Sequence, residues 1–171
     1  QWAVDTVAWA LAVDPDGKVL ASGHTNGTIR LWQLDLSQTS SFVNLGEGDE
    51  PQPWRQLEGH TEAISQFGFT FSPEGQYLAS ASYDDTVRVW DWQDEQSKPK
   101  ILREHNNDAQ RVSFSPYGQW LASGSGDHSI ILWDTQTWQP IRTFKGHQNS
   151  VFGLQFLDGQ SLASISFDKT I

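Results

Sequence analysis

The chain has 171 residues, with 11 Lys and Arg against 21 Asp and Glu and a formal net charge of −10, which argues against a phosphate backbone as partner. Nine Trp and nine Phe residues argue against a disordered chain, and the absence of Cys excludes a disulfide framework or a thiolate zinc site. The sequence contains no apolar run of the ~18 residues that a membrane-spanning helix needs.

Four copies of one sequence pattern follow one another along the chain. Each copy has Leu-Ala-Ser, a short polar turn and a β-branched segment, which ends in Trp in the first three copies. The pattern is anchored by the turn glycines Gly17, Gly75, Gly118 and Gly159. Their regular spacing indicates an internal repeat with a period of about 42 residues.

The repeats are predicted at approximately 1–35, 54–92, 98–135 and 138–171. The first interval is longer than the others by roughly 16 residues, and the extra residues have the Ser, Gly, Pro and acidic composition of a loop. We therefore expect residues 36–53 to form a loop inserted between two repeats.

Each repeat has the signals of short β-strands. In the second repeat, a Pro-Glu-Gly turn precedes a strand over 77–82, a polar turn follows, and a further strand covers 86–90. A fourth strand precedes the next repeat, as at 141–144. Small side chains such as Ala79 and Ala81 allow another sheet to approach closely, so we expect four-stranded antiparallel sheets stacked radially.

Three short motifs recur at matching positions of the repeats. They are the Gly-His, Trp-Asp and Ser-x-Asp motifs at Gly59-His60, Gly146-His147, Trp90-Asp91, Trp133-Asp134, Ser82-Tyr83-Asp84, Ser125-Gly126-Asp127 and Ser166-Phe167-Asp168. With them the chain resembles the WD-repeat β-propeller family, in its near-consensus bacterial form, over nearly its whole length. The resemblance implies an all-β fold of four-stranded antiparallel blades. Since propellers of this family have more than four blades, we expect residues 1–171 to be a partial propeller from a longer protein, and exposed blade faces to destabilise it as an isolated monomer.

The resemblance also implies a hydrogen-bonded structural tetrad of His, Ser, Asp and Trp in each blade. The expected members are His60, Ser82, Asp84 and Trp90 in the second repeat, His105, Ser125, Asp127 and Trp133 in the third, and His147, Ser166 and Asp168 in the fourth. Ser80 is the alternative to Ser82, because it lies on the same face of the strand. An imidazole between a carboxylate and a hydroxyl satisfies all three buried groups.

Some repeats depart from this pattern. The first has Trp2, Asn26 and Gln33 where the pattern has His, Asp and Asp, so we expect its network to be broken. The third has Glu104 in place of the Gly before His105. The first and second repeats are expected to carry two extra residues in the first strand, which favours a β-bulge there.

His, Ser and Asp are also the parts of a hydrolase triad. The set recurs in three repeats without a Gly-x-Ser-x-Gly elbow, so we favour a structural role and predict no catalytic residues. The five histidines, which include His24 and His128, are conceivable metal ligands, Asp84-Asp85 are conceivable calcium ligands, and the acidic residues 47–50 are a conceivable ion site. Three of the histidines are explained by the tetrads, Asp84 by its place in a turn, and residues 47–50 by a solvated loop. We therefore predict no metal and no cofactor.

The residues just before the turn Asp, or its Asn26 counterpart, are the candidates for partner binding. They are Thr25, Tyr83, Gly126 and Phe167. The resemblance implies that this face binds peptides or protein domains. Tyr83 and Phe167 either act as aromatic anchors for a partner or lie over the edge of their own blade. Trp92, Trp120 and Trp138 are expected to pack between blades or on the opposite face rather than to bind a ligand.

We therefore predict a cytoplasmic, non-catalytic scaffold that binds protein or peptide partners and neither nucleic acid nor a membrane. Further blades of a parent chain or a second copy are additional candidate partners, and the negative charge favours basic partners by electrostatic steering. The alternative is the sensor region of a larger signalling enzyme, such as a kinase or a nucleotide-binding ATPase. Catalytic motifs in the flanking reading frame would distinguish the two.

Overall fold

The structure is a computed structural model that describes residues 6–34 and 52–171. Trp2 and nearly all of the predicted inserted loop lie outside these residues. The described residues contain no helix long and apolar enough to cross a membrane.

The described residues form fourteen β-strands that are arranged in four blades. Blade 1 contains β1 (Ala8–Val13), β2 (Val19–His24), β3 (Ile29–Gln33) and β4 (Arg55–Leu57). Blade 2 contains β5 (Ile64–Phe71), β6 (Tyr77–Ser82), β7 (Val87–Asp91) and β8 (Lys100–Leu102). Blade 3 contains β9 (Ala109–Phe114), β10 (Trp120–Ser125), β11 (Ser129–Asp134) and β12 (Pro140–Lys145), and blade 4 contains β13 (Val151–Phe156) and β14 (Leu162–Ser166).

Consecutive strands within a blade pair antiparallel. The first strands of successive blades, β1, β5, β9 and β13, lie side by side as the inner strands of the arc. A parallel bridge between Phe67 of β5 and Arg111 of β9 joins blades 2 and 3. The prediction of an all-β partial propeller is therefore confirmed.

The hydrophobic core consists of three layers, one between each pair of neighbouring blades. Side chains alternate along each strand, so Leu78 faces blade 1 while Ala79 and Ala81 face blade 3. The alanines leave room for the larger residues of the next blade, which include the fully buried Leu121. Trp92, Trp120 and Trp138 also lie in these layers, so they pack between blades as expected.

The turn between the first two strands of a blade follows directly from its sequence. In blade 2, the Gly75 amide donates to the Ser72 carbonyl at 2.9 Å, and the Tyr77 amide donates to the Ser72 hydroxyl at 3.0 Å. Gly75 has a φ of +76°, in the left-handed region that favours glycine. This turn fixes the register in which β5 and β6 pair.

The inner strand of blade 2 carries the predicted bulge. The register changes between Ile64 and Phe69 of β5, whereas β6 advances by only two residues over the same interval. The Ser65 hydroxyl donates to the Gln110 carbonyl of β9 at 2.8 Å, so the bulge reaches across to blade 3. In the first repeat, β1 also shows a register shift, between Ala8 and Ala10. The two extra residues expected in this strand are not there, because β1 and β9 both contain six residues.

Candidate functional site

A chain of hydrogen bonds crosses each of the last three blades. In blade 2, the Trp90 indole donates to the Ser80 hydroxyl at 2.8 Å, and that oxygen lies 2.8 Å from His60 Nε2. His60 Nδ1 lies 2.8 Å from an Asp84 carboxylate oxygen. With His60 neutral and protonated at Nδ1, every group has a partner: Trp donates to Ser, Ser to His, and His to Asp.

The serine of this network is Ser80, not Ser82. Ser80 pairs with Arg88 across the sheet, so it is the diagonal neighbour of Trp90, within reach of the indole. Ser82 lies farther along β6, where its hydroxyl donates to the Ala63 carbonyl at 2.9 Å and accepts from the Asp84 amide. The assignment of Ser82 to the tetrad was therefore wrong; Ser82 positions the turn that carries Asp84.

Blades 3 and 4 repeat the same geometry. His105 contacts Asp127 at 3.0 Å and Ser123 at 2.8 Å, and Trp133 donates to Ser123 at 2.8 Å. In blade 4, His147 lies 3.0 Å from Asp168 and 2.9 Å from Ser164. The assignments of Ser125 and Ser166 were wrong for the reason given above for Ser82: their hydroxyls donate to loop carbonyls instead.

Blade 1 builds a related network from different residues. Trp32 donates to the Ser22 hydroxyl at 2.9 Å, and Ser22 lies 3.0 Å from His24 Nε2. His24 Nδ1 lies 2.9 Å from the Thr6 hydroxyl. The prediction of a broken network was wrong, because His24 of β2 supplies the imidazole and Thr6 occupies the place of the carboxylate.

Burial and hydrogen bonding set the charges in these networks. Burial lowers the pKa of His60 and of His24, because the charged imidazolium loses its hydration. Burial alone would raise the pKa of Asp84, but hydrogen bonds from His60 and Thr86 hold it well below its ordinary value. His60 is thus neutral while Asp84 is ionised.

In blade 2, the glycine of the Gly-His motif, Gly59, has a φ of +153°, in the region that favours glycine, and it also lies against Arg88. The Arg88 guanidinium lies 3.9 Å from the Asp84 carboxylate and directly over Gly59, where a Cβ atom would overlap it. In blade 3, the position that corresponds to Arg88 is Ile131. Glu104 does not share the positive φ of Gly59, so its backbone accepts a side chain.

The His-Ser-Trp networks have the burial and hydrogen bonding of a structural feature rather than of a hydrolase triad. Ser80 and Ser123 are completely buried, and each hydroxyl already has an imidazole and an indole as partners. A substrate carbonyl cannot reach such an oxygen. Within the described ranges, no group of three or more His, Cys, Asp or Glu side chains is arranged to hold a metal ion.

We expect the free energy of unfolding to fall as the pH is lowered from about 7 to about 5. The pKa values of His60 and His24 lie below their ordinary 6.5 in the folded chain, so the unfolded chain binds more protons in this range. Urea unfolding across this pH range measures the effect. The variant His128→Asn, which changes an exposed histidine, should keep the same pH dependence. Stability that increases on acidification would contradict the assignment of neutral histidines.

The four candidate partner-binding positions differ in accessibility. Phe167 is 60% exposed, and Tyr83 and Thr25 are half-buried. Gly126 is buried beneath the side chain of Asn107, so its selection as a contact residue was wrong. Tyr83 and Phe167 both line a cavity of about 190 Å³.

This cavity, the inner-strand cavity, lies on the face that carries the turn Asp residues. Its lining comprises Ser65, Gln66, Phe67, Tyr83, Gln110, Phe152 and Phe167. Phe152 stacks on Phe167 with ring centroids 4.3 Å apart, and Trp9 packs edge-on against Tyr83 at 6.2 Å. Trp9, Phe67 and Phe152 did not emerge from the sequence. Each of the three lies where the pairing register of an inner strand shifts. These shifts are visible in the structure and have no motif of their own in the repeats.

Radial blades with a repeated His-Ser-Trp network define the chain as a β-propeller built from sequence repeats. It belongs to the WD domain, G-beta repeat family, whose model matches residues 4–33, 51–91, 96–134 and 138–171. A chain in the crystal structure of the mitotic checkpoint complex superimposes with a TM-score of 0.77 at 20% identity, over 96% of this chain and 45% of that chain. This likeness shows the shared fold.

Curated relatives carry the same repeats within longer proteins. "Protein hir1" of Schizosaccharomyces pombe is 30% identical over 95% of this chain and 19% of its own length. A component of chromatin assembly factor 1 from Gallus gallus is 35% identical over 58% of this chain and 18% of its own length. A probable cytosolic iron-sulfur protein assembly protein 1 of Cryptococcus neoformans is 30% identical over 96% of this chain and 36% of its own length.

Proposed function

We propose that the chain is a non-catalytic scaffold that binds a protein partner across the inner-strand cavity. The observation that carries this proposal is the group of accessible aromatic rings around the cavity. Phe67 and Phe167 are 57% and 60% exposed, and Tyr83 lies beside them. A cluster of exposed aromatic rings is costly in water and typical of an interface.

The names of the relatives support a role in assembly. Two of them are named as assembly proteins, one for chromatin and one for cytosolic iron-sulfur proteins. The second name also supports the cytoplasm as the compartment of this chain. The rigid tetrads fit a scaffold, because they hold the turns that present Tyr83 and Phe167 in fixed positions.

Substitution of the rings tests the proposal. The double variant Tyr83→Ser, Phe167→Ser should reduce the amount of the principal co-purifying protein by roughly tenfold, as expected for the loss of interface anchors. The matched control is Tyr117→Ser, Leu157→Ser, which removes two exposed apolar side chains at the opposite ends of the strands. Quantitative mass spectrometry of affinity-purified chains measures both. If both variants lose the co-purifying protein to the same extent, or if the Tyr83→Ser, Phe167→Ser variant retains it, the proposal is contradicted.

A further inference from the structure

Arg111 of β9 is a half-buried cation with no charged partner among the residues that the structure describes. Its Nε atom is buried and lacks a hydrogen bond, and within the described part of the chain its guanidinium makes no ion pair. Burial lowers the pKa of Arg111, and no neighbouring charge offsets this effect. Arg88 differs, because its guanidinium lies beside the Asp84 carboxylate. Buried polar groups normally have hydrogen-bond partners, so a buried guanidinium Nε–H without one suggests that a partner molecule supplies the acceptor.

The position of Arg111 connects it to the inner-strand cavity. It forms the parallel bridge with Phe67, and its guanidinium carbon lies 5.5 Å from the centre of the Phe67 ring. Phe67 and Gln110, the immediate neighbour of Arg111, both line the cavity. The ring supports one side of the guanidinium by a cation–π contact, and the buried Nε–H has no acceptor among the described residues.

We infer that Arg111 binds the carboxylate of an Asp or Glu side chain in a partner segment that crosses the inner-strand cavity. The inference rests on the proposed scaffold function and names the chemistry of its partner. A carboxylate accepts two parallel N–H bonds from a guanidinium and supplies the missing charge. The residues that line the cavity include no cation, and Arg111 stands beside them through its contact with Phe67; a single guanidinium matches a singly charged carboxylate better than a phosphate dianion.

The residues on either side of the acid in such a segment should be apolar. The Trp9–Tyr83 pair lies on the side of blades 1 and 2, and the Phe152–Phe167 stack lies on the side of blade 4. A segment that runs across the cavity contacts aromatic rings before and after Arg111. This arrangement favours an internal acidic residue over the carboxylate of a chain terminus, which would contact only one side.

Fluorescence anisotropy with short labelled peptides tests the inference. The probes share a Leu-X-Leu centre, with X as Glu, Gln, Lys or phosphoserine. We expect the Glu probe to bind about tenfold more tightly than the Gln probe, as a charge-assisted hydrogen bond predicts. Arg111→Met should remove this preference. Arg142→Met is the matched control, since Arg142 makes a similar contact with Phe144, 4.8 Å from the ring centre, on the outer strand β12.

Each outcome bears on the inference. Equal binding of the Glu and Gln probes, a preference that survives Arg111→Met, or no measurable binding of the Glu probe overturns it. Tighter binding of the Lys probe than of the Glu probe also overturns it, and would show that the net charge of −10 decides the partner. Tighter binding of the phosphoserine probe than of the Glu probe overturns it as well, and would show that the site prefers a phosphate. If Tyr83→Ser, Phe167→Ser weakens both probes while the unaltered chain binds the Glu and Gln probes equally, the scaffold function stands and the carboxylate assignment fails.

Discussion

Replacement of Asp84 by Asn is expected to lower the free energy of unfolding by about 3 kcal/mol. One carboxylate oxygen accepts from His60 Nδ1 at 2.8 Å and from the Thr61 amide at 3.1 Å. The other accepts from the amide and the hydroxyl of Thr86, at 3.0 and 2.6 Å. Since donors face both oxygens, either orientation of the Asn amide places its NH₂ group against other donors.

Asp85→Asn is the control for this substitution. Asp85 is adjacent in sequence, exposed, and has a φ of +65°, a conformation that Asn tolerates. Its replacement should change the free energy of unfolding by less than about 0.5 kcal/mol. Urea unfolding, followed by Trp fluorescence, measures both variants. Similar effects at the two positions would show that the tetrad does not stabilise the blade.

Leu78→Ala is the second substitution with a large expected effect, a loss of about 3 kcal/mol. Leu78 is completely buried in the layer between blades 1 and 2 and pairs with Trp90 across the sheet. Its truncation leaves a cavity lined by two blades, and β-sheet backbones cannot easily move together to fill it. The loss should therefore include both the lost burial and the cavity.

Leu157→Ala is the matched control, because it makes the same chemical change at a side chain that is 69% exposed. We expect an effect below about 0.5 kcal/mol. Denaturant unfolding of the two variants gives the difference. A Leu78→Ala variant as stable as the Leu157→Ala variant would mean that stacking between blades 1 and 2 contributes little to the fold.

The repeat pattern was sufficient to predict the blades and most of their strands. The strand Tyr77–Ser82 agrees with the prediction at both ends, because a Gly turn and a polar turn limit it on either side. The Ser-x-Asp motif alone could not decide whether Ser80 or Ser82 belongs to the tetrad. The choice depends on the cross-strand register, which makes Ser80 the diagonal neighbour of Trp90. The same separation of ten residues joins Ser22 to Trp32 and Ser123 to Trp133.

The network of blade 1 and the aromatic cavity could not be read from the motifs. His24 occupies a position where the other blades have Ser, so the dipeptide Gly23-His24 lies out of register with the Gly-His motif of the later repeats. Phe67 lies within the bulge of β5 and pairs there with Arg111 of the neighbouring blade. Contacts between inner strands of different blades depend on how the blades stack, and a repeat aligned with itself does not contain that information.

A photo-crosslinking amino acid at position 167 tests the proposed binding face most directly. Phe167 borders the inner-strand cavity, whereas Tyr117, which is 78% exposed, lies at the opposite ends of the strands and serves as the reference position. We expect a discrete protein adduct from position 167 in cells, its loss when Tyr83→Ser is added, and no matching adduct from position 117. Equal adducts from both positions, or an adduct from position 117 alone, would contradict binding across the inner-strand cavity.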